Sequence, residues 1–180
     1  MPAILHSLVL ATVVLLGTSV SVGAARADET NLIDPGKVFL DDAEMPRGYK
    51  RLTSEDQWTA NPGLITAIRQ YSDGSALIQQ IVYSASSTDK AGEVGGVFLD
   101  TLPAKFEYLD YNEILTLGER AVSGYGENEN GVAIHVVVFQ RSTLVGIITW
   151  IDEEGADLEA DTTALATRME ARARAALPPP

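Results

Sequence analysis

No cysteine occurs anywhere in the 180-residue chain, and that absence closes off several chemistries at once. There is no disulfide to staple the fold, so burial and hydrogen bonding must hold it. Thiol catalysis, thiolate zinc sites and cysteine-ligated iron–sulfur clusters are excluded. Histidine is nearly absent too: only His6 and His135 occur. A histidine-based metal site needs several nitrogen ligands, and this chain does not have them. Basic residues are few, 13 against 25 acidic ones, for a formal charge of −12. Such a chain repels phosphate backbones and anionic lipid surfaces, which argues against nucleic-acid binding.

What is present begins at the N-terminus. Ile4-Leu5 and the run Leu8 to Leu16 form a short apolar block, followed by small residues ending in Ala25-Arg26-Ala27. This reads as a secretory signal peptide over residues 1–27, although Met1-Pro2-Ala3 carries no Lys or Arg. The block is too short to span ~30 Å of hydrocarbon comfortably, and no second run of ~18 apolar residues follows. The expected mature protein is therefore extracytoplasmic or secreted, without stable membrane insertion. Residues 28–177 have the size of one domain, and Pro178-Pro179-Pro180 forms a disordered tail.

Asp28 to Lys37 reads as an arm, Val38-Phe39-Leu40 as a first strand, and Met45 to Tyr49 as a turn. A second short strand is expected over Tyr49 to Leu52, and Thr53 to Gly63 is polar and reads as a loop holding Trp58. Leu64 to Ser72 and Ser75 to Ser84 flank Asp73-Gly74, a preferred two-residue hairpin turn. That turn would set Arg69 opposite Ile78 and Leu64 opposite Tyr83. Alternation puts Leu64, Ile68, Leu77, Ile81 and Tyr83 on one face. Tyr71, Ile78 and Val82, with Arg69 and Gln80, lie on the other.

Ser86-Ser87-Thr88 offers caps for a helix over about Asp89 to Leu102, with Ala91, Val94, Phe98 and Leu102 as its stripe and Pro103 closing it. Gly92, Gly95 and Gly96 lack the Gly-Lys-Ser/Thr ending of a phosphate loop. Close helix-on-sheet packing accounts for them better. Short strands are expected at Phe106 to Leu109 and Ala121 to Gly124. The strongest strand signal is a second hairpin, Val132 to Gln140 and Thr143 to Ile151, turning at Arg141-Ser142. Both of its faces are largely apolar, so it belongs at the centre of the sheet. One face carries His135, Phe139, Leu144, Ile148 and Trp150. A last helix is capped at Asp161 or Thr162 and runs to about Leu177, with Leu158, Leu165 and Met169 inward. The fold class expected is α+β: a mostly antiparallel sheet built of hairpins, with two main helices packed on it.

Several strings, Met45-Pro46-Arg47-Gly48-Tyr49, Leu117-Gly118-Glu119-Arg120-Ala121 and Val136 to Arg141, sit in a layout of hairpin, helix, hairpin and Ala-rich helix. This resembles a group of small exported bacterial α+β domains, PsbP-like in architecture. The resemblance implies an α/β/α sandwich and a binding or accessory role rather than an enzymatic one. It carries no catalytic motif over, and the second hairpin turn departs from the group's Arg-Gly or Arg-x-Gly.

The sequence names no catalytic residue, metal ligand or cofactor. Gly124-Tyr125-Gly126 lacks the serine of a nucleophile elbow. The acidic stretches Glu127 to Asn130 and Asp152 to Asp157 read as solvated turns, without EF-hand spacing. The leading expectation is a non-enzymatic domain that holds a small apolar ligand or a protein partner. Its binding face would be the aromatic one around His135, Trp150 and Phe139, with Trp58 and Arg69 as outlying contributors. A carboxylate hydrolase using His135 would instead need that residue in a cleft beside an acid. A self-associating structural domain is the third reading.

Overall fold

The computed structural model describes residues 32–105, 110–114, 116–127, 132–152 and 159–179. Among these are eight strands in one antiparallel sheet: β1 (Lys50–Arg51), β2 (Gln57–Asn61), β3 (Leu64–Ser72), β4 (Ala76–Ala85), β5 (Asp110–Glu113), β6 (Arg120–Glu127), β7 (Ala133–Arg141) and β8 (Leu144–Asp152). Two helices, α1 (Thr88–Lys105) and α2 (Glu159–Ala176), complete the fold. The strand order is β1-β3-β4-β8-β7-β6-β5, with β2 also paired to β3. After β4 the chain crosses through α1 to the far edge and meanders back until β8 lies beside β4.

The two helices lie on opposite faces, which follows from strand alternation. Ile81, Tyr83, Val136, Val138, Val145 and Ile147 cluster with Ala91 and Val94 of α1. Ile78, Val82, Val137, Phe139, Ile148 and Trp150 cluster with Leu165, Ala166, Met169 and Ala173 of α2. The central strands β4 and β8 are buried almost throughout, as their two-faced apolar patterns require.

The first hairpin is shifted from the expected register. Ser72 pairs with Leu77, so Arg69 faces Gln80 and Leu64 faces Ala85. The connection spans residues 73–76 because Asp73 Oδ1 accepts hydrogen bonds from the amides of Ser75 and Ala76, while Gly74 takes φ +105°. The second hairpin turns at Ser142-Thr143, with Arg141 opposite Leu144 and Ser142 at φ +52°. Both slips are by two residues, and an even slip leaves every side chain on its expected face.

Other expectations are corrected. Val38-Phe39-Leu40 is not a strand: it follows a 3-10 turn at Pro35–Lys37 and is fully buried. The amides of Val38 and Phe39 donate to Pro35 O, and side chains hold Leu40: its N–H donates to Gln80 Oε1 at 2.8 Å and its O accepts from Arg69 at 3.0 Å. The expected loop around Trp58 contains β2, every residue of which is exposed. Helix α1 does not stop at Pro103 and runs to Lys105. Helix α2 begins at Glu159, and Thr162, expected as a cap, faces the core with 0% exposure. The expected signal peptide over residues 1–27, the expected strand at Phe106 to Leu109, Leu158 and most of both acidic turns lie outside the described residues.

Candidate functional site

The aromatic face singled out by the sequence is the floor beneath α2. His135 pairs with Trp150 on one side and Tyr125 on the other. It is 1% exposed, Trp150 6% and Phe139 0%. Tyr49 meets Trp150 edge-on, with ring centroids 5.6 Å apart. Phe139 lies flat over Gly146: a Cβ added there would stand 2.2 Å from the ring. These rings are packed against one another and against α2, so the surface expected to be open is covered. The imidazole of His135 lies 6.4 Å from the Tyr125 ring, centroid to centroid, and is closed off from solvent.

Arg69 and Trp58 do not join that cluster. Arg69 makes a two-pronged bond to Asp56 at 2.8 Å on each prong, and its guanidinium lies 4.6 Å above the ring of Phe39. Burial works to raise the Asp56 pKa, but Arg69 and Arg51 outweigh it and hold the carboxyl below the usual range. Tyr71 donates to Leu40 O and Asp42, and burial, reinforced by Asp42, pushes its pKa up to about 12. From α2, Arg172 reaches Phe39 O, Asp41 and Glu44. Together these bonds fasten residues 32–45 across β3, β4 and α2. Arg69 is therefore a clamp on the arm. Trp58 is 48% exposed on β2 and pairs with Ala67. Four strand spacings separate it from Phe139 in the same row, roughly 19 Å.

An open pocket lies on the other face. It has a volume of about 250 Å³ and sits between α1 and the junction of β5 and β6. Its floor is Val122, Val138 and Val145, and Leu117 closes one side. The helix wall at Gly95 contributes no side chain. A Cβ at Gly92 or Gly95 would meet Gln140 Oε1 or Val145 only at 3.9–4.0 Å, and one at Gly96 would meet nothing within 4 Å. These are ordinary contacts or open space, so close packing does not explain the three glycines. Their effect is to leave room.

The pocket's chemistry is simple. Gln140 Nε2 is engaged with Thr88 O and Ser142 O, which leaves its carbonyl oxygen turned towards Gly92 and Gly95 as an acceptor. Exposed Glu113, Glu119 and Arg120 stand at the lining. Gly118, at φ +64°, lets the connection pass against β7: a Cβ there would be 2.5 Å from Gln140 O. The lining contains no serine, histidine or lysine, and among the described residues no three His, Asp or Glu gather to hold a metal. An apolar body with a hydrogen-bond donor suits this site, with the carboxylates of Glu113 and Glu119 at its lining. Of the five residues named from sequence, Phe139 alone touches the pocket.

Comparison with known proteins gives one kind of likeness. No protein-family model matches the chain, and no curated protein matches it. A solved fold does. The structure is similar to the extracellular domain of PknH from Mycobacterium tuberculosis, with a TM-score of 0.54, covering 85% of this chain and 100% of that one. At 11% identity the likeness concerns the fold alone. Among the described residues, no helix is long and apolar enough to cross a membrane.

Proposed function

We propose that this is an exported, non-enzymatic ligand-binding or accessory domain whose ligand site is the pocket between α1 and β6. The observation that carries it is the pocket itself: about 250 Å³ of space with Gly95 of α1 in its wall and valines on its floor. A helix interior gives up about 1 kcal/mol per glycine against alanine, so three within five residues need a use. Export is supported by the apolar block and small-x-small site of residues 1–27. The neighbouring fold belongs to an extracellular domain, which agrees with that reading. One helix on each face of an antiparallel sheet supports the PsbP-like layout. The ligand class is a small apolar molecule with a donor for Gln140 Oε1.

The test is a thermal-shift screen of the Asp28–Pro180 chain against small apolar amines, amides and alcohols, run beside Gly95→Leu. A leucine at 95 points into the pocket and fills it. A ligand at 100 times its dissociation constant adds ~2.7 kcal/mol, several degrees in a domain of this size. The expected result is a shift in the wild type that Gly95→Leu abolishes. No shift with any probe, or equal shifts in both proteins, removes the pocket from consideration.

A further inference from the structure

The sheet face beneath α1 carries a polar row that the pocket does not use. Gln70 pairs with Gln79, and Gln79 with Thr149, so the three sit side by side on β3, β4 and β8. All are buried, Gln79 completely. Both polar atoms of the Gln79 carboxamide lack a hydrogen-bond partner among the described residues, as does Nε2 of Gln70. One flanking row is aliphatic, Ile68, Ile81 and Ile147; the other holds Leu77 and Ile151 with Ser72, whose hydroxyl accepts from the Gly74 amide.

Its neighbour Gln80 shows what a structural glutamine does here. Gln80 faces the opposite side, is equally buried, and uses both ends of its amide on the Leu40 backbone, at 2.8 and 3.3 Å. Gln79 has no such partner among the described residues. An unsatisfied buried carboxamide is costly, and at a position needing only packing a methionine or leucine would serve better.

We propose that Gln79, with Gln70 and Thr149 beside it, forms an internal binding site for a neutral group that both donates and accepts hydrogen bonds, a hydroxyl or an amide. A carboxamide offers one acceptor and two donors, so its complement must supply both kinds. The guest is neutral because β3, β4 and β8 place no charged side chain on this face in these three rows, and a buried charge without a counter-charge is disfavoured. Such a group comes either from ordered water or from a small ligand. The site is distinct from the proposed pocket. Val136, opposite Thr149, is two residues along β7 from the pocket's Val138.

The test uses the Asp28–Pro180 chain, its Gln79→Met variant and acetamide as probe. Methionine keeps the length and removes both polar atoms. A satisfied Gln79 predicts a melting temperature lower by about 4 °C in Gln79→Met. A crystal structure of the wild type should show density within hydrogen-bond distance of the Gln79 amide. Acetamide raising the melting temperature of the wild type alone identifies a ligand amide as the guest. Discrete density peaks with no acetamide response identify ordered water. A Gln79→Met chain melting at or above the wild type overturns the proposal. So does wild-type density with nothing against the amide, and that second readout decides the matter if the variant does not fold.

Discussion

The two faces of this sheet are built to different rules. Beneath α2, large rings fill the space, and the charged groups around them are matched: Arg69 with Asp56, Arg172 with Asp41 and Glu44, Arg141 and Arg174 with Glu170. Beneath α1, the sheet presents aliphatic side chains and Tyr83, the helix presents glycines beside Phe98, and a fully buried glutamine has no hydrogen-bond partner among the described residues. A face whose volume is filled and whose charges are matched is finished as structure. Buried polar atoms without a partner among the described residues occur on both faces, Trp150 Nε1 included, so it is the open volume beneath α1 that separates site from scaffold within one domain.

The contrast can be broken most severely at Gly146. Adding one methyl there drives a carbon to 2.2 Å from the Phe139 ring, beneath α2, where Phe139 is fully buried. Overpacking of this kind costs roughly 1–3 kcal/mol or more, so Gly146→Ala should unfold well below the wild type in a denaturant titration. The same methyl at Gly95 should be accepted.

Next in size is the ion-pair side of the α2 face. Glu170 is buried, and burial alone would raise its pKa, yet Arg174 and Arg141 hold it below the ordinary 4.5. Asp56 is held below 3.8 in the same manner. A carboxylate whose folded pKa is depressed contributes stability that is complete above its unfolded pKa and disappears as pH falls through the folded value. Stability should therefore hold from pH 7 to about 5 and decline below about pH 4.5. Glu170→Gln should cost about 2 kcal/mol at pH 7, discounted because both arginines are partly exposed, and should flatten the acid decline. Urea unfolding at pH 7, 5 and 3.5 reads both effects.

The smallest effect sharpens the α1 side. Gly96 lies inside the helix, and a methyl added there would meet nothing within 4 Å, so Gly96→Ala should stabilise by up to about 1 kcal/mol. Ligand response in the thermal-shift assay should survive that change, because position 95, not 96, lines the pocket.

Much of this architecture is legible in the sequence. The hairpins, both helices and the split of side chains between faces follow from period-two and helical spacing. The face assignments of Leu64, Ile68, Tyr71, Ile78, His135 and Trp150 survive two register slips because each slip is even. Strand β2 is invisible to pattern because Gln57–Asn61 buries nothing. It is held by backbone pairing to β3, which leaves no hydrophobic signature. Val38-Phe39-Leu40 resembles a strand because it is a short apolar run, whereas the backbone of Leu40 is held by Gln80, Arg69 and Tyr71 from elsewhere. The pocket is hidden for a related reason. Its walls come from positions 95, 117, 122, 138 and 145, which no local window brings together. The one available signal is three glycines in five residues of an otherwise ordinary helix.

What the amino-acid order determined alone was local: which residues alternate, that two long hairpins form, and which chemistries the missing cysteines forbid. These depend on neighbours a few residues apart, whose spacing fixes direction directly. The tertiary structure decided the placement of β8 between β4 and β7, the covering of the aromatic face by α2, and the division of buried polar groups into those with partners and those without. Those outcomes depend on segments distant in the chain competing for the same two faces, and only the folded whole resolves which helix lies on which.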